Sequence, residues 1–319
     1  MNASTLTPPQ ETQAAVKPTC VQPGGGFFMS LELFLGRLRR ARLRLFRRGY
    51  LRHMEGLRRG QCPGCKHSIL DPRDLKYWRN VCGYSFAEED DPFRWRNELG
   101  FARYGLAEVA CTSVIALVLL FVLAVSVNFA HWTVFLVPLV VVPSAFILYF
   151  FRDPDRSIPA DTSALVSPAD GTVTGIAQVE EPDFPGGRAL RVSIFLSVFD
   201  VHVNRIPRTA QVVGLRYFPG KFLDARNPEA GVVNEQFWVD LEESNPPRRI
   251  RVKQISGAIA RRIVNWLRLE EPVWAGARFG MIKFGSRTDV LIPTTDPVDV
   301  LIKVGDKVKG GSSVLLRFK

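Results

Sequence analysis

Phe284–Val290 reads FGSRTDV, and runs that look like strands lie on both sides of it, Phe279–Phe284 and Thr288–Ile292. Strand on either side predicts a β-rich fold around this point. The Gly285-Ser286 pair at the junction has two readings. It is an ordinary turn, or it is a place where the chain cuts itself. In the second case the serine hydroxyl attacks the preceding carbonyl and turns the amide into an ester. Loss of the β-oxygen leaves dehydroalanine, which hydrolyses to a pyruvoyl group heading a new chain. Glycine before the serine suits this chemistry, because the carbonyl must be approached closely and the backbone distorted.

Outward from this junction, Val- and Ile-rich runs recur at Ala164–Val166, Gly171–Val179, Leu190–Ser197, Ala210–Tyr217, Asn234–Leu241 and Arg249–Ile255. Gly, Pro and Asp turns separate them, which predicts a mainly β domain over 152–319. Ile255–Leu269 is the one helix expected within it. ADGTV (Ala169–Val173) and VGDKVKGGSSV (Val304–Val314) are similar to the turns of biotinyl and lipoyl carrier barrels. A barrel- or sandwich-like architecture is therefore expected. No lysine flanked by methionines accompanies those turns, so shared β architecture is the reading, not a carrier function.

Three more segments stand apart in the sequence: FFRDPDRSIP (Phe150–Pro159), VSPADGTV (Val166–Val173) and FLSVFDVHVNRIP (Phe195–Pro207). With RFGMIKFGSRTDVLIP (Arg278–Pro293) they resemble the phosphatidylserine decarboxylases, in the shorter form with FGSR at the cleavage point. GKFLDA (Gly220–Ala225), NE (Asn234-Glu235) and QISGAIARRIV (Gln254–Val264) extend the likeness. It covers roughly Phe150 to the C-terminus, with the residues before about Cys111 outside it. The resemblance implies self-cleavage at Gly285-Ser286 into two chains that stay together. It implies a covalent pyruvoyl cofactor from Ser286 that forms a Schiff base with phosphatidylserine, giving phosphatidylethanolamine and carbon dioxide.

Ser286 needs a proton acceptor, and a neutral histidine held by a carboxylate is the usual solution. Of the four histidines, His53 and His67 lie in the N-terminal region and His131 between two apolar runs, which leaves His202 for this domain. A lone histidine on a strand edge also reads as one satisfied by the backbone, but DVHVNRIP is where the resembling family keeps a functional histidine. Asp170 in SPADGTV matches the family's aspartate and is expected to orient or charge-stabilise the imidazole; it also reads as a turn carboxylate. Many longer relatives carry a second histidine where this chain has Arg205. One histidine then serves both maturation and turnover, or another group takes one task. Arg205 is itself a candidate for binding the substrate's phosphate or carboxylate.

The chain has 319 residues, a formal charge of +11 and 46% hydrophobic residues. Its basicity suggests an anionic partner, nucleic acid or a membrane surface. Leu31–Arg59 concentrates ten arginines against two glutamates. Apolar residues there recur at roughly helical spacing, so region 31–100 is read as a basic amphipathic helix followed by a cysteine knuckle. Lying on an anionic bilayer, docking on the protein itself and neutralising phosphates are the three readings of that helix. Few stacking aromatics accompany it, and no nucleic-acid partner is expected. Residues 1–30 are rich in Thr, Pro, Gln and Gly and read as a disordered tail without a signal peptide. All five cysteines lie at or before Cys111. Cys62 and Cys65 have CxxC spacing, with Cys82 as a third and His67 or His53 as a fourth candidate zinc ligand. The second CxxC of a zinc ribbon is missing.

From Val109 to Phe151 the chain is almost wholly apolar. Val109–Val127 and Trp132–Phe151 are each long enough to cross a bilayer as helices, the second bent by Pro138 and Pro143. Region 109–151 is therefore expected to be a transmembrane hairpin. Arg103 and Arg152 flank its outer ends and the connecting loop carries no Lys or Arg, which places the catalytic domain at the cytoplasmic face of the cell membrane. A membrane adaptor with a degenerate decarboxylase-like domain is the alternative to an enzyme.

Overall fold

The structure is a computed structural model that describes residues 27–319, apart from 63–67, 129, 259–261 and 284. The N-terminal half is helical: α1 (Phe27–Phe46), α2 (Arg48–Leu57), the single turn α3 (Leu75–Trp78), α4 (Leu106–Ser126) and α5 (Val137–Phe150). From Ala164 onward the chain is mostly strand. In order come β1 (Ala164–Val166), β2 (Gly171–Glu180), β3 (Arg188–Leu196), β4 (Val203–Arg205), β5 (Ala210–Phe218), the short α6 (Ala230–Val233) and β6 (Gln236–Ser244). There follow β7 (Pro247–Ser256), β8 (Ile263–Asn265), β9 (Pro272–Val273), β10 (Arg278–Ile282) and β11 (Ser286–Pro293). The last three are β12 (Val298–Val300), β13 (Lys307–Val308) and β14 (Val314–Phe318).

One eight-stranded sheet runs β13-β2-β3-β11-β7-β6-β5-β9, and two three-stranded sheets run β1-β14-β12 and β4-β10-β8. The pairings are antiparallel. Side chains alternate with period two, so each central strand sends one set to the core. Val192 and Ile194, Val239 and Leu241, Ile250 and Val252, and Val290 and Ile292 form that set, all buried together. The opposite face carries charge. There Arg251 bonds Asp240 at 2.5 Å and Glu181 at 2.8 Å, and Lys253 meets the same Glu181.

The strand-like runs coincide with β1, β2, β3, β5, β6, β7, β10 and β11 to within a few residues. The helix expected at Ile255–Leu269 is not there among the described residues. Ile255 and Ser256 end β7, and Ile263–Asn265 form β8 against β10. The physical reason is tertiary. Branched Ile263 and Val264 suit a strand, and an open edge of β10 offers them backbone partners that an isolated helix lacks.

The two apolar runs form α4 and, after a 3-10 turn over His131–Leu136, α5. The two helical segments, Arg103–Ser126 and His131–Phe150, are long and apolar enough to cross a membrane, and α4 packs against α5. Leu117, Phe121, Leu139 and Val142 point outward. Pro138 falls in the first turn of α5, where a missing N–H costs no helical bond, and Pro143 lies inside it. At the hairpin's base the chain closes on itself: Ala102 N donates to Phe151 O and Asp153 N to Gly100 O, both at 2.7 Å.

Of the expected tail, residues 1–26 lie outside the described residues, while Phe27–Ser30 begin α1. α1 is tied to the protein by polar contacts, Arg39 to Asp71 and Lys76 to Glu32, while Phe34, Leu35, Leu38, Leu45 and Phe46 remain exposed. The knuckle is closed by backbone pairing of Arg59 with Ser85. Zinc finds no support. Among the described residues no group of three His, Cys, Asp or Glu gathers to hold a metal. Cys82 is instead buried with Ile69 and Leu75, with Cys62 against the same apolar cluster, where a thiol packs as a small hydrophobe. Cys65 and His67 lie outside the described residues.

Candidate active site

β10 ends in a three-stranded sheet and β11 begins in the eight-stranded one, so Gly285-Ser286 is no hairpin tip. It is the crossing between two sheets. Gly285 sits at φ 60°, the left-handed region that favours glycine. Ser286 is the first residue of β11 and pairs with Leu196 of β3 on one side and Ser256 of β7 on the other. It is fully buried, and its Oγ has no hydrogen-bond partner among the described residues. A buried hydroxyl left unpaired is costly.

The carbonyl that this hydroxyl would attack is held in a close wall. A Cβ on Gly257 would stand 2.4 Å from Gly285 O, and the same position touches Ala225. Ala225 belongs to the GKFLDA segment, which Asn234 anchors. Its Oδ1 accepts from Leu223 N, and its Nδ2 donates to Leu223 O and Ser256 O, each at 2.8 Å. The motifs GKFLDA, NE and QISGAIARRIV, far apart in the chain, thus meet beside one peptide bond.

His202 reaches the amide of Gly285, one peptide before the Gly285-Ser286 bond, from the turn after β3. Asp200 builds that turn, accepting from Ser197 N at 2.9 Å and Ser197 Oγ at 2.7 Å. The imidazole Nδ1 donates to Asp200 O at 2.9 Å, which leaves Nε2 as acceptor for Gly285 N–H at 3.2 Å. Burial pushes the ring's pKa down to about 4, against the weaker pull of the Asp200 carbonyl, so it is neutral at neutral pH. Its face packs on Phe150 at the end of α5, with centroids 4.4 Å apart.

Asp170 does not orient this ring. Its carboxylate accepts from Arg156 Nη2 at 2.6 Å and Gly310 N at 2.8 Å, and so ties the Phe150–Pro159 segment to the Val304–Val314 turn. The backbone carbonyl of Asp200 orients the imidazole because the turn brings it within reach of Nδ1. Arg205 is also spoken for. It is buried, donating to Asp153 Oδ1 at 2.8 Å, Pro154 O at 3.0 Å and Gly276 O at 3.1 Å, so its guanidinium is held in an ion pair within the protein.

Sequence reasoning gave no role to Gly257, Ser256, Glu235 or Asn204. Each stood in a quoted motif, but residue type and spacing say nothing about which strands become neighbours. Asn204 donates to Thr288 Oγ1 at 3.2 Å and accepts from Gln254 at 2.8 Å, which in turn accepts from Asn265 at 3.1 Å. This buried chain fixes the polar end of the core directly beneath Ser286. On the other side of the cleavage point, Lys283 donates to Tyr104 O at 3.2 Å and pairs with Glu108 in the first turn of α4. Burial lowers the Lys283 pKa to about 8 despite that carboxylate.

The phosphatidylserine decarboxylase family profile matches residues 144–316, the stretch that holds His202, Gly257, Gly285 and Ser286. This chain belongs to the phosphatidylserine decarboxylase family. A phosphatidylserine decarboxylase proenzyme of Rhodopirellula baltica is 44% identical over 246 residues, 77% of this chain and 99% of its own length. One of Symbiobacterium thermophilum is 46% identical over 195 residues, 61% of this chain and 88% of that protein. One of Chlorobium chlorochromatii is 44% identical over 215 residues, 67% and 98% of the two lengths. An alignment of 246 residues in a chain of 319 starts at or before Asp74. Family likeness therefore reaches well before Cys111, through α4.

Proposed function

We propose that this chain is a phosphatidylserine decarboxylase proenzyme that cuts itself between Gly285 and Ser286. It then converts phosphatidylserine to phosphatidylethanolamine and carbon dioxide as a pyruvoyl-dependent carboxy-lyase. The observation that carries the reading is the contact of His202 Nε2 with the Gly285 amide, beside a buried Ser286 hydroxyl that has no partner among the described residues. The residues present fit a pyruvoyl group. Position 286 is enclosed between β3 and β7, and residue 285 already holds the left-handed conformation. Such a group supplies an electron-withdrawing carbonyl that condenses with the substrate amine and weakens the bond to the departing carboxylate.

The chain's own residues divide the remaining work. Gly257 leaves room for the Gly285 carbonyl, and His202 holds the Gly285 amide. Cutting spares that N–H, which belongs to the peptide before Gly285, but frees the chain end that carries it, and Nε2 then serves as an acid–base group that takes up a proton and delivers it to the substrate carbon that loses its carboxylate. Asp170 acts at a distance, pinning the turn at Gly310. The small product, Ser286–Lys319, stays bound because β11 is laddered between β3 and β7, β13 pairs with β2 and β14 with β1, all strands of the large chain.

The lipid's route is set by the hairpin, with α4 and α5 crossing the membrane and the catalytic domain at the cytoplasmic face. Support comes from Phe150 on the His202 ring and from exposed Phe199, edge-on to Phe146 of α5 at 6.2 Å. The active site thus sits at the foot of the hairpin, where a lipid headgroup arrives. Intact-mass measurement tests the central claim. The wild-type chain is expected as Met1–Gly285 plus a 34-residue piece (286 to 319) with a blocked N-terminus, and Ser286→Ala as one uncut chain. An uncut wild type, or a cut Ser286→Ala, overturns it.

A further inference from the structure

α1 takes no part in the chemistry above and lies outside the stretch that the family profile matches. Helix positions i, i+4, i+7 and i+11 share one face. Phe34, Leu38, Ala41 and Leu45 stand at those positions, and all four are exposed. Leu35 and Phe46 widen the stripe on one side, with exposures across the row running from 49% for Phe34 to 78% for Phe46. Single exposed apolar residues are ordinary; a contiguous row rimmed by polar ones marks an interaction surface. Exposed arginines rim this one. Arg37 and Arg44 run along one edge and Arg42 stands on the other, beside Leu35 and Phe46. Among the described residues none of the three has an ion pair, and Arg44 donates to Ser68 Oγ at 2.7 Å. The opposite face holds the protein, with Glu32 on Lys76 and Tyr77 and Arg39 on Asp71.

The fold sets this helix at the foot of the hairpin. α1 touches α4, and Leu31 and Leu35 line a cleft with Leu106, Ala107 and Cys111 in the first turns of α4. With α4 across the bilayer, α1 lies level with the lipid headgroups. An apolar stripe between arginines suits that place. The apolar side chains enter the acyl boundary and the arginines reach back to the phosphates. Other occupants fit less of the surface. A nucleic acid would meet the arginines but leave Phe34, Leu38, Leu45 and Phe46 in water. A second copy would set arginine against arginine, since α1 carries five arginines and one glutamate.

We propose that α1 is a collecting surface for phosphatidylserine, lying on the bilayer beside the hairpin and gathering the anionic substrate in preference to the product. This rests on the decarboxylase reading above and on α4 and α5 crossing the membrane. The preference follows from the reaction itself. Phosphatidylserine carries a phosphate, a carboxylate and an ammonium, and so bears one net negative charge. Decarboxylation breaks the bond from the α-carbon to the carboxylate, which leaves as carbon dioxide. A proton takes its place on that carbon, and the phosphatidylethanolamine formed has no net charge. Arg37, Arg42 and Arg44 therefore attract the substrate and let the product diffuse away. Exposed Arg47 and Arg48 continue the same charge into the start of α2. The lipid around the hairpin's foot stays rich in substrate while the site consumes it.

The test uses the full chain, synthesised cell-free into phosphatidylcholine nanodiscs that hold a rising fraction of phosphatidylserine. Release of labelled carbon dioxide gives a half-saturating fraction and a maximal rate, and intact mass reports cutting. Arg37→Gln, Arg42→Gln and Arg44→Gln together are expected to raise the half-saturating fraction about fivefold, with maximal rate and cutting unchanged. Lysine at the same positions should keep the wild-type value, and about 0.5 M salt should move the wild type towards the glutamine variant. Amide exchange across Phe34–Phe46 in the wild type should slow further when phosphatidylserine joins the phosphatidylcholine. An unchanged half-saturating fraction in the glutamine variant overturns the proposal. So does a fall in maximal rate alone, which marks a structural role. If that variant fails to fold, wild-type exchange decides, and no response to phosphatidylserine overturns the proposal. Slowing that follows protein concentration or added RNA instead of lipid gives the stripe another occupant and overturns it too. A wild type that never cuts, or that cuts and releases no carbon dioxide, overturns the reading beneath it.

Discussion

The two halves of this molecule treat apolar and polar side chains in opposite ways. In the strand-rich half the apolar residues turn inward, and buried Asn204, Gln254 and Asn265 among them are joined by hydrogen bonds. In α1 and the hairpin, Phe34, Leu38, Leu117, Phe121 and Leu139 turn outward, while the contacts that hold α1 are ionic. The sheet half is built as a body in water is built; the helical half presents two segments long and apolar enough to cross a membrane. The active site lies where the two meet. His202 packs on Phe150, and Lys283 reaches from the cleavage strand to Glu108 in α4. The difference teaches that a lipid enzyme needs its reacting groups at the border between the two kinds of packing.

The seam is the first place to break this contrast. Lys283→Met leaves the Glu108 carboxylate buried beside Arg262 with its closest partner gone. A loss of about 3 kcal/mol is expected when a buried charge pair loses one partner and the longer Arg262 contact remains. Thermal melting of the uncut Ser286→Ala protein in detergent measures it, and Lys283→Met with Glu108→Gln should recover part of the loss. Melting unchanged by the single substitution would separate the halves energetically.

Acid tests the sheet side of the border. His202 in the folded chain titrates at about 4, below the ordinary 6.5, because burial disfavours its charged form. Between those values the unfolded chain binds a proton that the folded chain does not. Stability is therefore lost as pH falls from about 6.5 to about 4, by roughly 3 kcal/mol. The same Ser286→Ala protein should melt lower at pH 4.5 than at pH 7, and adding His202→Gln should shrink that difference.

Within the site, Gly257→Ala sharpens the comparison by changing packing without changing polarity. Its methyl group would fall 2.4 Å from the Gly285 carbonyl oxygen, where backbone faces backbone and neither yields cheaply. A displacement of that size is expected to slow self-cleavage by about 10²-fold. The ratio of cut to uncut chain on a denaturing gel reads it. The smallest effect belongs to the knuckle. Cys82→Ala should cost about 1 kcal/mol, and Cys82→Ser more, since a hydroxyl is buried among Ile69 and Leu75. Equal and severe losses from both would point to a ligand's role instead.

Sequence alone determined a good deal. Short Val- and Ile-rich runs between Gly, Pro and Asp turns marked eight of the strands, and two long uncharged runs marked the helical hairpin because each is long and apolar enough to cross a bilayer. The FGSR junction, DVHVNRIP and their companions marked the family and the peptide to be cut. Tertiary structure alone decided the partners. It turned Ile263–Asn265 into a strand, gave the His202 ring to the Asp200 carbonyl instead of Asp170, and committed Arg205 to Asp153. It also set Ser256 across from Ser286. Local pattern fixes which way a side chain faces along its own strand. Which strand lies beside it depends on how the whole core closes, and that is why the neighbours of Ser286 could not be read from spacing.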